Sequence, residues 1–226
     1  MSVHPIRIDM QAAGAARPDP HEWPSALRVA AVPLPTWVLP PPRLSGGLSL
    51  MQALLQRRSC RGFASAALPE QVLADLLWAA GGINRPGLGG RTTPRAIELQ
   101  DIEIYLALPT GLYRYEPAGH LLRGVVSRDL RAVTGNQDFV GDAALDLVFV
   151  ADHRRVAWVQ AEQREAYAHV AAGAMAQSVY LACASLGLTT VLRAWIDRDM
   201  LGAAMTLDDG QQVLLAQTVG YPRADA

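Results

Sequence analysis

No lysine occurs in the 226 residues, so all 20 basic side chains are arginine. Arginine stays charged and its planar fork suits phosphate or carboxylate, but GC-rich codon usage is the simpler account of a missing lysine. A basic excess is also absent: 20 arginines against 21 acidic residues leave a formal charge of -1, which argues against a nucleic-acid partner. Cysteine is scarce. Cys60 and Cys183 stand far apart without metal-ligand spacing, which points to free thiols in a reducing compartment, the cytoplasm. The histidines His4, His21, His120, His153 and His169 are equally scattered, so a His/Cys zinc site has no support. No apolar run approaches the roughly 20 residues of a membrane helix, and Met1 to Ala16 lacks the apolar stretch of a secretory signal. No Ser/His/Asp triad or paired-carboxylate motif is found either.

What is present is proline early and periodicity later. Residues 1–47 hold most of the prolines, including Pro33, Pro35, Pro40, Pro41 and Pro42, together with Trp23, Leu34, Trp37 and Leu39. This reads as an extended arm with enough apolar surface to lie against a core or a second subunit, ahead of one domain over 48–226. Ser49 is a candidate N-cap for a helix carrying Leu50, Leu54 and Leu55 at helical spacing. A second helix opens at Pro69, continues through Val72, Leu73, Leu76, Leu77 and Ala80, and stops at Gly81-Gly82. Residues 83–100 show no period and read as a loop. Strands follow at 101–108, 112–116 and 121–126, then a continuous apolar run over Leu145 to Ala151, as expected of a strand covered on both faces. The spacing predicts a long Ala/Gly-rich helix over 161–186, a strand near Thr189 to Trp195, a short helix opened by Asp197 and a last strand from Gln212 to Val219. This order predicts an α+β fold, with helices around a largely antiparallel sheet.

The densest polar group is Arg57-Arg58-Ser59-Cys60-Arg61, directly after the first helix. Three guanidinium groups and a hydroxyl within five residues suit a phosphate, although charges at a helix C-terminus are commonly no more than solvated partners of the dipole. The neighbours tilt the balance. Arg57-Arg58-Ser59-x-Arg61, Gly82-Ile83-Asn84-Arg85-Pro86, Arg91-Thr92-Thr93-Pro94 with Gln100, Ala172 to Gln177 with Tyr180-Leu181, Leu186 to Val191 and Val219-Gly220-Tyr221-Pro222 stand in one order. That order resembles the FMN-dependent nitroreductase family over about residues 48 to 223.

The resemblance implies a three-layer fold and an interlocked homodimer holding FMN at the subunit interface. It also implies NADH or NADPH as electron donor and ping-pong exchange with a small acceptor such as a nitroaromatic or a quinone. Arg57 resembles the family's phosphate and ribityl contact, with Arg58 and Ser59 beside it. Arg61 resembles the cation near flavin N1 and O2, where a fixed positive charge favours the reduced ring. Pro94, Arg95 and Ala96 fall where the family places a loop against the partner's ring. Arg95 replaces the usual Ser there, and Glu98 stands where Asn is common. Ala194 and Trp195 resemble the segment that brings a backbone N–H near flavin N5, and Arg193 and Arg223 are possible phosphate partners.

Three rivals remain at this level. An azoline-forming dehydrogenase resembles the chain in the hairpin Gly111-Leu112-Tyr113-Arg114-Tyr115 but carries a Lys-Tyr pair ahead of the long helix, and this chain offers no lysine near Val159 and Gln160. A flavin carrier or sensor without turnover has the same grip on the cofactor. The third is an α+β interaction domain that binds no cofactor.

Overall fold

A computed structural model describes residues 34–94 and 101–224 of the protein. Two stretches of alternating apolar residues explain its centre. In β5 (Ile102–Leu108), Ile104 and Leu106 face one core while Tyr105 and Ala107 face another. Strand β8 (Leu145–Asp152) does the same with Leu147 and Phe149 against Val148 and Val150, and every residue of it is buried. Apolar surface is therefore needed on both sides, which is why alternation disappears into a continuous run. Eight strands make the main sheet. Besides β5 and β8 these are β1 (Trp37–Val38), β2 (Phe63–Ala64), β6 (Gly111–Glu116), β7 (Leu121–Val126), β9 (Thr189–Arg193) and β10 (Gln211–Pro222). The order is β1-β7-β6-β5-β8-β10-β2, with β9 also paired to β10, and every pairing is antiparallel.

Helices close both faces and make three layers. Helix α2 (Glu70–Gly81) and the 26-residue α3 (Ala161–Leu186) cover one face through Leu73, Leu76, Leu77, Ala172, Met175 and Val179. The short α4 (Arg198–Ala204) covers the other with Leu201, Ala204 and Met205, beside Leu130 and Val133. Each fully buried leucine contributes about 1.5–3 kcal/mol, so these two cores dominate the fold's stability. Helix α3 ends where Gly187 takes the left-handed conformation (φ +70°), as a glycine after a helix commonly does.

One region differs from the sequence expectations. Residues 83–91, expected as a loop, form a ribbon of β3 (Ile83–Arg85) and β4 (Gly90–Arg91) around a single 3-10 turn. Strands of two or three residues are too short to show a period. What holds the ribbon is tertiary: Arg91 Nη1 donates to the Gly81 carbonyl at the end of α2 (2.7 Å), and Thr92 Oγ1 adds a second bond to the Trp78 carbonyl (3.0 Å), which also accepts from the Gly82 N–H. Helix α1 (Leu50–Gln56) forms where the sequence placed it. Ser49 forms the expected cap, and its own N–H donates to Gln52 Oε1 (3.1 Å), which completes a capping box. The apolar stripe of α1, however, faces outward: Ala53 alone is buried, and Leu55 is 86% exposed.

The described part of the Pro-rich arm lies on the domain. Strand β1 adds to the β7 edge, Leu39 is buried, and Arg43 straps the arm to α2 by pairing with Asp75. Leu34 lies so close to Gly124 that a Cβ there would collide with it.

At the same edge, Glu116 accepts from Arg123 Nη2 (2.9 Å) and Arg114 Nη2 (3.0 Å), and Arg123 foremost holds its carboxyl at about 2 against an ordinary 4.5. A depressed folded value means that this contribution is complete above about pH 4.5 and disappears as pH falls through 2. Urea midpoints of the protein and of Glu116→Gln should therefore differ at pH 7 and converge toward pH 2. A constant gap would exclude this linkage.

Candidate functional site

The Arg57–Arg61 segment is held in place by residues from the far end of the chain. Arg57 caps α1 and is half-buried, its guanidinium 5.3 Å from the centroid of the Tyr180 ring, within cation–π range. The Tyr180 hydroxyl accepts from the Leu192 N–H (2.9 Å) and shares a 2.7 Å bond with Ser59 Oγ. Cys60 N–H donates to the Thr190 carbonyl (3.1 Å), which ties the segment to β9. Arg58 and Arg61 are exposed, with no hydrogen bond or ion pair among the described residues.

Pairing of β2 with β10 completes the assembly. Tyr221 stands opposite Ala64 and Pro222 opposite Phe63, and Arg223 N–H donates to the Gly62 carbonyl (3.3 Å). Arg223 is thereby set beside Arg61 across more than half of the chain. Strand β9 lies along Ala216 to Gly220 of β10, the stretch just before the one that pairs with β2, and Ala194 and Trp195, both exposed, follow it. The Trp195 carbonyl accepts from the Asn136 N–H (3.3 Å), and the Ala194 carbonyl accepts from Arg198 Nη2 (3.2 Å). One sheet edge thus collects Arg57, Arg58, Ser59, Arg61, Ala194, Trp195 and Arg223.

Arg193 requires a correction. Its guanidinium faces inward and is 2% exposed, so it has no access to a phosphate on that edge. It pairs with Asp146 Oδ1 (2.6 Å) and donates to the Thr134 carbonyl (2.7 Å), Thr134 Oγ1 (2.9 Å) and Thr218 Oγ1 (2.9 Å). Burial pushes the Asp146 carboxyl up and the Arg193 guanidinium down, against the attraction between them. Gly135 leaves room for this arginine, since a Cβ there would strike Arg193 Nη1. The network anchors the end of β9 from below, just where Ala194 emerges.

Pro94 is exposed at the end of the segment that leaves the ribbon, attached through Thr92 to α2. Arg95, Ala96 and Glu98 lie outside the described residues. Reading the sequence missed Tyr180 as the support of the arginine segment, and it missed the Asp146–Arg193 pair. A signal for the second existed: Asp146 is an acid inside the apolar run 145–151, and a charge buried in an interior strand needs a cation. Among the described residues no cluster of His, Cys, Asp and Glu could hold a metal, and no helix is long and apolar enough to cross a membrane.

Fold and site together define an α+β protein with helices on both faces of an antiparallel sheet and cations gathered at one edge. The chain belongs to the nitroreductase family: the profile of the Nitroreductase family matches residues 54–221. A nitroreductase-family protein of Methanocaldococcus jannaschii is 32% identical over 154 residues, covering 64% of this chain and 77% of its own. A solved nitroreductase-family structure from Ralstonia eutropha is 43% identical, with a TM-score of 0.81 over 87% of this chain and 96% of that one. The NADPH:FMN oxidoreductase of Vibrio harveyi, solved with NAD+, shares the fold at a TM-score of 0.58 and 23% identity, over 76% of this chain and 68% of that one.

Proposed function

We propose that this protein is an FMN-dependent oxidoreductase that moves hydride from NADH or NADPH to a small acceptor, a nitroaromatic or quinone, in two alternating half-reactions. The observation that carries the reading is the β2–β10–β9 pairing, which brings the Arg57–Arg61 segment, Arg223 and the Ala194 backbone to one edge. The exposed guanidinium groups of Arg58 and Arg61 fit an anionic cofactor. In this reading Arg57, Arg58 and Arg223 hold the FMN phosphate, and Ser59 joins them. If Tyr180 donates to Ser59 Oγ, the serine keeps its own proton for the ligand. Arg61 stabilises negative charge at the N1–O2 end of the ring, and the main chain at Ala194–Trp195 faces N5. When bound, FMN supplies the two-electron chemistry; the protein's part is to bind, orient and exclude water.

A second copy of the chain completes the site in this proposal. The outward stripe of α1, with Leu50, Met51, Leu54 and Leu55, and the exposed Val170 of α3 present apolar surface of the kind that marks an interface. Pro94, Arg95, Ala96 and Glu98 then come from the partner to the ring. The arm over 1–47 and the domain over 48–226 remain the proposed division, with cytoplasmic residence.

The test is a visible spectrum of the purified protein with and without FMN, followed by anaerobic NADH or NADPH and then a quinone. A bound-flavin spectrum that bleaches with the nucleotide and returns with the quinone is expected. A colourless protein that takes up no FMN sinks the proposal. A flavin that stays oxidised with both nucleotides makes the protein a carrier, and oxidation of a thiazoline or oxazoline substrate moves it to the azoline-forming type.

A further inference from the structure

Away from the arginine edge, a cavity of about 340 Å³ wraps the start of β5, where β6 ends and the β3–β4 ribbon forms one wall. Its volume is at the small end of the roughly 300–1,000 Å³ usual for ligand sites, which suits a molecule of about one ring. Ile83, Ile102, Ile104 and Met175 make its apolar walls, and Arg114 and Arg155 line the polar side.

Those two arginines converge. Arg155 Nη2 (2.5 Å) and Arg114 Nη1 (3.4 Å) both donate to Glu103 Oε1, so two guanidinium groups stand within a few ångströms of each other beside the cavity. The acids nearby are already supplied with donors. Glu103 Oε2 accepts from Gln211 Nε2 (2.9 Å) and from the Tyr105 hydroxyl (3.1 Å), and Glu116 is held by Arg114 and Arg123. Arg155 also reaches Asp152, whose charge Arg154 shares. Each guanidinium carries five N–H groups in one plane, so the polar side is rich in donors and its acceptors are engaged. An occupant must bring acceptors of its own. A planar carboxylate matches such a pair of forks, while the apolar walls ask for a hydrophobic body behind it.

We infer that this cavity binds a small organic carboxylate, with the carboxylate on Arg114 and Arg155 and the body against Ile102, Ile104 and Met175. None of Arg57, Arg58, Ser59, Arg61, Ala194, Trp195 and Arg223 lines this cavity, and its occupancy does not depend on the flavin reading.

Benzoate serves as the probe and benzamide, its neutral counterpart, as the control, each followed through the Met175 methyl resonance. Saturable binding of benzoate, at least tenfold tighter than that of benzamide and at least tenfold weakened in Arg155→Gln, is expected. Ala118→Phe, placed on the exposed turn at the cavity's rim, should abolish binding without touching the Glu103 network, and so keeps the test decisive should Arg155→Gln fail to fold. Equal affinity for benzoate and benzamide overturns the proposal, as does benzoate binding that survives Ala118→Phe. Competition by inorganic phosphate at equal concentration reduces the site to a general anion patch and overturns it too. Displacement of benzoate by FMN places the probe in the flavin site and likewise overturns the proposal.

Discussion

Arg193→Ala is expected to lower folding stability by about 3–5 kcal/mol, a large part of the roughly 5–15 kcal/mol that holds a domain together. The cause is the charge left behind. Asp146 is fully buried in the second core, and Arg193 is its cationic partner, at 2.6 Å. Removing the arginine leaves a buried carboxylate that keeps the Thr218 hydroxyl as a donor but has lost its cation, and Thr134 and Thr218 lose the donor they accept from. Replacing both members, Arg193→Met with Asp146→Leu, should recover most of the loss, because well-packed apolar residues commonly substitute for a buried ion pair at little cost. Urea unfolding of the single and double variants beside the parent protein measures this. A single-variant loss under about 1 kcal/mol would mean that Asp146 has another source of compensation.

Arg57→Ala is expected to weaken FMN binding by about 1.5–3 kcal/mol, roughly ten- to 150-fold, the range for losing a hydrogen bond to a charged group. The fold should tolerate the change better than Arg193→Ala, because Arg57 is half-buried and gives up only its contact with the Tyr180 ring. Arg57→Lys keeps the charge without the fork and should fall between Arg57→Ala and the parent protein. Titration of FMN fluorescence by each variant gives the affinities, and thermal melting separates a binding loss from a folding loss. FMN affinity in Arg57→Ala equal to that of the parent protein would remove Arg57 from the site.

These two arginines also show where a sequence stops being readable. Both stand next to motifs that resemble the family, and both are natural candidates for a phosphate. Arg57 lies at the surface against Tyr180, whereas the guanidinium of Arg193 turns inward. Alternation along a strand separates two faces, but it does not say which face carries a ligand. Asp146 settles that for Arg193: the residues pair because β8 and β9 flank β10, a neighbourhood set by topology. Helix α1 teaches the same lesson. Its cap and its apolar spacing are local and legible, yet the direction of its stripe depends on what surrounds it.

By itself the sequence determined the elements whose causes are local. Ser49 stops the chain before α1, Gly187 ends α3, and apolar residues recurring at two or nearly four positions make the central strands and helices. It also carried the order of motifs by which the family is known. Only the tertiary structure decided that Arg61 and Arg223 become neighbours, that Tyr180 supports the arginine segment, that Arg91 and Thr92 bond to the last turn of α2, and that Arg193 is an internal ion-pair partner. The physical reason is range. Capping and periodicity act over a few residues, while strand pairing and the neutralisation of a buried charge join groups tens to more than a hundred residues apart.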